Sequence, residues 1–368
     1  MHQDYPEIVI GDILLSNVRP WKFFPTLVTS VIVNSYELIT KKGLLWRIRK
    51  KGGLRAFLEI QSDKVLWIDS GGYQIMQRGL NISVEKILSV YRIIDADIFV
   101  SLDHPTLPGD NSFEREKKIK KSLKNFEYLT NKLPDKKIIP VVHFSPTLDD
   151  YDRLLKIYLD TYGCDTIAFG GFVPPLLSVR GTKKARLKAI LALRYVALMA
   201  GEENIHVMGV GATTTISILN ALRIKSADSA AWRIKAAYGK IMLPWGGERH
   251  VTNRDVSFGK KKLTHEELRE LADFIRLTGN FPFDSVCKDL EKFLLENIFQ
   301  KFEGRALFNA WVVLSLAKKT PPKSGSFRSL YQLALHIKKL DQDDIRKLWG
   351  KLNDIKQGDL MKYVEKLA

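Results

Sequence analysis

Asp69 and Asp228 each close a short apolar run, the first in Trp67-Ile68-Asp69-Ser70-Gly71-Gly72-Tyr73-Gln74 and the second in Ser226-Ala227-Asp228-Ser229. A carboxylate at a strand end can act as a nucleophile or carry a proton. Gly71-Gly72 strengthens the case, because a backbone without β-carbons can come close to a flat ligand. Two such carboxylates, far apart in sequence, need a scaffold that gathers strand ends on one face. A parallel β/α barrel does this, with its chemistry at the C-terminal ends of the strands.

The rest of the chain reads as that scaffold. Eight apolar runs recur at 7–15, 27–34, 65–69, 97–103, 138–143, 166–170, 205–210 and 223–228. Segments 84–94, 112–132, 148–162 and 182–200 carry spaced apolar residues with Lys, Arg or Glu between them, as helices covering a parallel sheet require. The pattern predicts an α/β fold, an eight-stranded parallel β/α (TIM-type) barrel over residues 1–262. Beyond it, Thr264-His265-Glu266-Glu267 reads as a capping box. Helical patterns then run to the C-terminus, broken by Thr320-Pro321-Pro322-Lys323-Ser324-Gly325-Ser326, so residues 263–368 form a helical C-terminal extension.

Of 368 residues, 45% are hydrophobic and 27% charged, a composition that excludes a fibrous or disordered chain. The 58 Lys and Arg outnumber 41 Asp and Glu, for a formal net charge of +17, which points to a polyanionic partner. No apolar run is long enough to span a membrane, and none is expected as a partner. Cys164 and Cys287 are too few for a disulfide framework and too far apart for a metal knuckle. They read as buried, inert thiols in a reducing cytoplasm. The start, Met1-His2-Gln3-Asp4-Tyr5, does not read as a signal peptide.

The segment Asp69-Ser70-Gly71-Gly72-Tyr73-Gln74 resembles the signature of the tRNA-guanine transglycosylase superfamily. Leu102-Asp103-His104-Pro105, Val141-Val142-His143, Phe169-Gly170-Gly171-Phe172, Met208-Gly209-Val210-Gly211 and Ala227-Asp228-Ser229 resemble that family's successive strand ends, in the same order, across roughly residues 60 to 240. The resemblance implies a base exchange with retained sugar configuration. Asp228 would attack the anomeric carbon, and Asp69 would protonate the departing guanine and then take the proton of the incoming 7-deazaguanine. It also implies a base pocket of Ser70, Tyr73, Gln74, Asp103, His143, Gly170, Gly171, Met208 and Gly209. In it Asp103 reads the guanine edge, the glycine N–H groups meet the base carbonyl, and Tyr73 and Met208 sandwich the ring.

Three departures narrow the expectation. His143 stands where the family usually has Gln, which makes binding there sensitive to pH. Phe172-Val173-Pro174-Pro175-Leu176 follows the glycines where queuosine-type enzymes carry an acid, and no Asp or Glu comes before Glu202, so a neutral 7-substituent such as nitrile is favoured. The Cys-x-Cys-x-x-Cys and His zinc site of tRNA-modifying members is missing, with Cys287 alone, so no metal and no cofactor are expected.

The missing zinc site, the lack of the RNA-binding accessory domain common in archaeal relatives and the short length together resemble the DNA-modifying branch called DpdA, of bacterial genomic islands and phages. The expected partners are therefore DNA and 7-cyano-7-deazaguanine, with accessory proteins that deliver or open DNA a further requirement such an enzyme could have. The expected location is the cytoplasm of a bacterial or phage-infected cell. Candidate nucleic-acid contacts are Lys41, Lys42, Arg47, Arg49, Lys50, Lys51 and Arg55 before the Asp69 strand, Lys183, Lys184 and Arg186 beyond the Gly pair, and Trp232, Arg233 and Lys235 after the nucleophile. Each group reads equally as a solvated helix face. The alternatives are a tRNA enzyme with the same chemistry and a non-catalytic nucleic-acid-binding subunit.

Overall fold

The computed structural model describes residues 6–107, 109–177, 183–252, 261–278, 289–317, 319–323, 325–352, 354–355 and 359–367. Nine parallel strand segments form one sheet: β1 (Glu7–Asp12), β2 (Ser30–Asn34), β3 (Val65–Asp69), β4 (Ile98–Val100), β5 (Lys137–Ile139), β6 (Val141–His143), β7 (Ile167–Gly170), β8 (Ile205–Val207) and β9 (Ser226–Ser229). Their spatial order is β5-β4-β3-β2-β1-β9-β8-β7-β6. The two edge segments, β5 and β6, are consecutive in the chain and separated only by Pro140. One run therefore supplies both edges, and the sheet curls into a barrel of the expected TIM type. Pro140 splits that run because it has no N–H for the ladder; its carbonyl accepts from Ala168 N at 2.9 Å.

Strand period decides what faces the barrel axis. Val9, Ile32, Trp67, Val100, Ile139, Val141 and Ala168 form an inner cluster, with Ile98 and Met208 packed against it. Their neighbours Ile8, Ile10, Val31, Val33, Leu66, Ile68, Phe99, Val142 and Phe169 face outward to the helices. A parallel sheet covered in this way is apolar on both faces, which is why its strands read as continuous apolar runs. Two residues beyond an inner residue, the same parity holds at the barrel mouth: Ile32 leads to Asn34, Trp67 to Asp69, Val141 to His143 and Ala168 to Gly170. The core pattern thus carries the polar residues to one opening.

The helix Ser112–Lys132 starts with the reciprocal cap of Asn111 and Glu114. After β9, a hairpin of β10 (Lys240–Met242) and β11 (Glu248–His250) leads to the helix His265–Thr278, whose Thr264 and Glu267 exchange backbone N–H bonds as a capping box does. Further helices follow, including Phe302–Trp311, Gly325–Ile337 and Gln342–Lys351. Asn309, wholly buried, joins this extension to the barrel: its Nδ2 donates to Trp232 O and Lys240 O, each at 3.1 Å, and its Oδ1 accepts from Met242 N at 2.7 Å. Leu271, Phe308, Trp311 and Leu348 share one apolar cluster with the outer barrel helices. No helix among the described residues is long and apolar enough to cross a membrane.

Candidate active site

Asp69 ends β3, and Asn34 ends the neighbouring β2 in register with it. Asn34 Nδ2 donates to Asp69 Oδ2 at 2.8 Å and to Gln74 Oε1 at 3.0 Å, while Asn34 Oδ1 accepts from Tyr36 N at 2.8 Å. The main-chain bond fixes which end of the amide faces Asp69. Burial, and next the nearby Asp103 carboxylate, push the Asp69 carboxyl up to about 7; N–H bonds from Gly71 and Ser70 oppose this and Asp228 adds to it. Asp69 can therefore gain and lose a proton near neutrality.

The glycines after Asp69 make room for polar neighbours. A β-carbon on Gly71, which has φ +83°, would lie 2.5 Å from Asn34 Oδ1, and one on Gly72 would lie 2.2 Å from Asp103 Oδ1. The close approach expected toward a ligand is, in the structure, an approach of the turn to two side chains of the site itself.

Asp103 is almost covered. Its Oδ2 lies 2.7 Å from His143 Nε2 and its Oδ1 accepts from Ser70 Oγ at 3.4 Å. The Nδ1 edge of His143 lies against Gly170, where a β-carbon would be 2.6 Å away, so the glycine is what lets the imidazole lie flat there.

Asp228 lies at the same mouth, near the end of β9, with β2 and β1 standing between β9 and β3. Its Oδ1 accepts from Gly209 N at 2.8 Å, and its carbonyl accepts from Val210 N at 2.8 Å. Gly209 has φ +71°, a conformation other residues rarely adopt. Beneath Asp228 lies His206, another inward residue, whose Nε2 is 3.4 Å from Asp228 Oδ1.

These groups open onto one cavity of about 570 Å³. Asp69, Gln74, Asp103, His143, Gly170, Gly171, Met208, Gly209 and Asp228 line it, with Tyr73, 49% exposed, at its edge. Ser70 is buried behind Asp103. Phe144, Pro146, Val173, Pro174 and Pro175 make an apolar wall. The structure also brings in an acid that sequence order did not suggest: Asp110 lines the cavity, but Lys118 holds both of its oxygens at 2.7 and 2.8 Å.

A cavity lined by two carboxylates from the C-terminal ends of different strands and by an apolar wall is suited to a planar heterocycle on a sugar. The family model for queuine tRNA-ribosyltransferase (TGT) matches residues 18–277. The chain belongs to this family of guanine-exchanging pentosyltransferases. Among transglycosylase relatives, it is 28% identical to the tRNA-guanine(15) transglycosylase of Archaeoglobus fulgidus, over 60% of this chain and 44% of that one, and 25% identical to that of Pyrococcus furiosus, over 66% and 40%. It is 30% identical to uncharacterized protein 306 of Sulfolobus islandicus rod-shaped virus 1, over 69% of this chain and 74% of the viral one. The chain thus spans less than half the length of these archaeal transglycosylases but most of the viral relative.

Against this transglycosylase frame, the basic residues separate into distinct places. Arg55 donates to Gln61 O and Lys64 O at 3.0 and 2.9 Å and to Asp97 at 2.6 Å. Those residues precede β3 and β4, so Arg55 sits at the barrel end opposite the cavity, as a staple between strand starts. Lys42, Arg49 and Lys51 are exposed; Lys41 pairs with Glu37, Arg47 lies over Phe57 and Lys50 over Trp46. Trp232 is wholly buried, with Nε1 bonded to Gly11 O at 3.0 Å, which corrects the expectation of a contact there. Arg233 faces Asp12 at 3.4 Å and Lys235 pairs with Glu248 at 2.5 Å. Lys183 is exposed at the start of the helix Lys183–Ala200, with Lys184 and Arg186 half-buried beside it.

Among the described residues no group of three or more His, Cys, Asp or Glu is arranged to hold a metal ion, and Cys287 lies outside them. Cys164 is free and half-buried, and burial pushes its thiol up to about 11, which leaves it unreactive at neutral pH. Sequence reasoning missed Asn34 and His206. The signal for both was a lone polar residue at an inward position of an apolar strand.

Proposed function

We propose that this protein is a DNA guanine transglycosylase of the DpdA branch, which exchanges guanine for 7-cyano-7-deazaguanine through a covalent aspartyl-glycosyl intermediate. The observation that carries the reading is that Asp69 and Asp228 face one cavity in unlike surroundings. Asp69, held at about 7, suits a group that gives and then takes a proton. Asp228, oriented by Gly209 N–H, suits a nucleophile. In the first displacement Asp228 bonds to C1′ as the C1′–N9 bond to guanine breaks, and the Asp69 proton goes to the departing base. In the second, N9 of the incoming base bonds to C1′, the ester bond to Asp228 breaks, and the N9 proton returns to Asp69. No cofactor enters this balance.

Asp103 supports the choice of base, since a carboxylate can accept from the adjacent ring and amino N–H groups of guanine and its 7-deaza analogues. The apolar wall of Val173, Pro174 and Pro175 supports a neutral nitrile at the 7-position, because Asp110 is already neutralised by Lys118 and offers a cationic substituent little. The net charge of +17 favours a polyanion, and the missing zinc cysteines favour DNA. A tRNA substrate is the second reading, favoured by the names of the archaeal relatives.

The test offers the protein duplex DNA and tRNA together with isotope-labelled 7-cyano-7-deazaguanine and locates the label by mass spectrometry after digestion. Label on deoxyribose is expected. Label on ribose would move the protein to the tRNA enzymes, and absence of label from both would remove the exchange reading for the isolated chain.

A further inference from the structure

Resting on the transglycosylase reading above, we propose that His206 is a positioning residue for Asp228, fixing which carboxylate oxygen bonds to the sugar and easing the second displacement. His206 is 0% exposed and lies inside the barrel against the Trp67 ring, 4.6 Å between centroids. Its register partner across the sheet is Ser226, two residues before Asp228 on the same face of β9. Ser226 Oγ is 2.9 Å from His206 Nδ1. A lone pair on Nε2 would face the Asp228 carboxylate and be repelled, so the stable neutral tautomer has its proton on Nε2 and accepts a hydrogen bond from the Ser226 hydroxyl at Nδ1.

That Nε2–H is a buried donor with no hydrogen-bond partner, 3.4 Å from Asp228 Oδ1. A buried donor left open is costly and needs a reason. A shift of about half an ångström by the carboxylate would close the bond to ordinary length. Oδ1 already accepts from Gly209 N, and among the described residues no hydrogen bond is made to Oδ2. Oδ1 is therefore the anchored oxygen and Oδ2 the one that attacks C1′.

When the incoming base displaces the ester, the electron pair of the C1′–Oδ2 bond returns to the carboxylate and spreads onto Oδ1. A donor waiting there stabilises charge as it develops. In the first displacement the same donor orients the carboxylate but also weakens it as an attacker. Its net effect falls on release of the sugar from Asp228.

The test compares wild type with His206→Phe, which keeps a ring against Trp67 without a donor, and His206→Gln, which restores one. Each is assayed with labelled 7-cyano-7-deazaguanine and whichever polymer wild type labels, and the covalent complex is counted on a denaturing gel. In His206→Phe, kcat should fall about 10- to 100-fold, as loss of a hydrogen bond to a charged group gives, with the base KM within about two-fold. The trapped fraction should rise, and His206→Gln should recover part of kcat. An unchanged kcat and trapped fraction in His206→Phe would overturn the role of His206. A fall in kcat with less trapped complex, not rescued by Gln, would overturn it as well, in favour of a packing role. Wild-type protein that neither exchanges nor traps would overturn the transglycosylase reading itself.

Discussion

Asn34 donates its amide to Asp69 Oδ2 across 2.8 Å while its carbonyl is fixed by Tyr36 N–H at the start of the helix Ser35–Thr40. One side chain thus caps a helix and aims a donor at the proton carrier. Asn34→Ala should lower the exchange rate about ten-fold, the worth of a hydrogen bond to a charged group, and cost ~1 kcal/mol of stability through the lost cap. Exchange kinetics and a melting curve on the same variant separate the two losses; a melting change with intact kinetics would leave Asn34 as a cap only.

The Asp69 carboxyl, raised to about 7 by burial and by Asp103, makes opposite predictions for activity and stability. Its folded value lies above the unfolded value of 3.8, so the folded protein holds the extra proton between these values, and stability falls as pH rises through that window. Asp69→Asn mimics the protonated acid. It should lose exchange by ~10²–10⁴-fold, yet melt higher than wild type at pH 8, with the gap closing toward pH 4. Equal melting at both pH values would contradict the raised carboxyl.

Gly72 leaves no space for a β-carbon, since one would meet Asp103 Oδ1 at 2.2 Å and Asp103 O at 2.6 Å. Gly72→Ala must displace Asp103 from Ser70 and His143, with an expected loss of roughly 1–3 kcal/mol and weakened base binding. Gly79→Ala is the control: unlike Gly72 it has a positive φ, +61°, and nothing lies within 4 Å of its added β-carbon. It should cost stability through backbone strain alone, leaving base affinity unaltered when titrated by calorimetry.

Arg55 staples the starts of β3 and β4 through Gln61, Lys64 and Asp97, away from the cavity. Arg55→Ala should lower the melting temperature without changing how nucleic-acid affinity depends on salt. Replacing a cation that does touch phosphate should instead reduce the log–log salt slope by about one. A reduced slope in Arg55→Ala would place the polymer on the barrel face away from the cavity.

Much of the fold was legible because a covered parallel strand must be apolar on both faces, which marks it as a run. The runs at 65–69 and 166–170 agree with β3 and β7 to within a residue. The run at 97–103 extends beyond β4: Ser101 N still bonds to Ile139 O at 2.9 Å, and Leu102 and Asp103 then lead on to the mouth. Trp232 was misjudged because a cluster in sequence lies along a helix, and sequence does not say which side of that helix is buried.

The sequence by itself determined the barrel pattern, the basic charge and the strand-end identity of Asp69 and Asp228, because periodicity and residue type are local properties. Tertiary structure alone decided that Asn34 meets Asp69, that Gly72 yields space to Asp103, and that His206 stands under Asp228. These relations follow from which strands are neighbours and in what register, and so from closure of the sheet, which no single segment encodes.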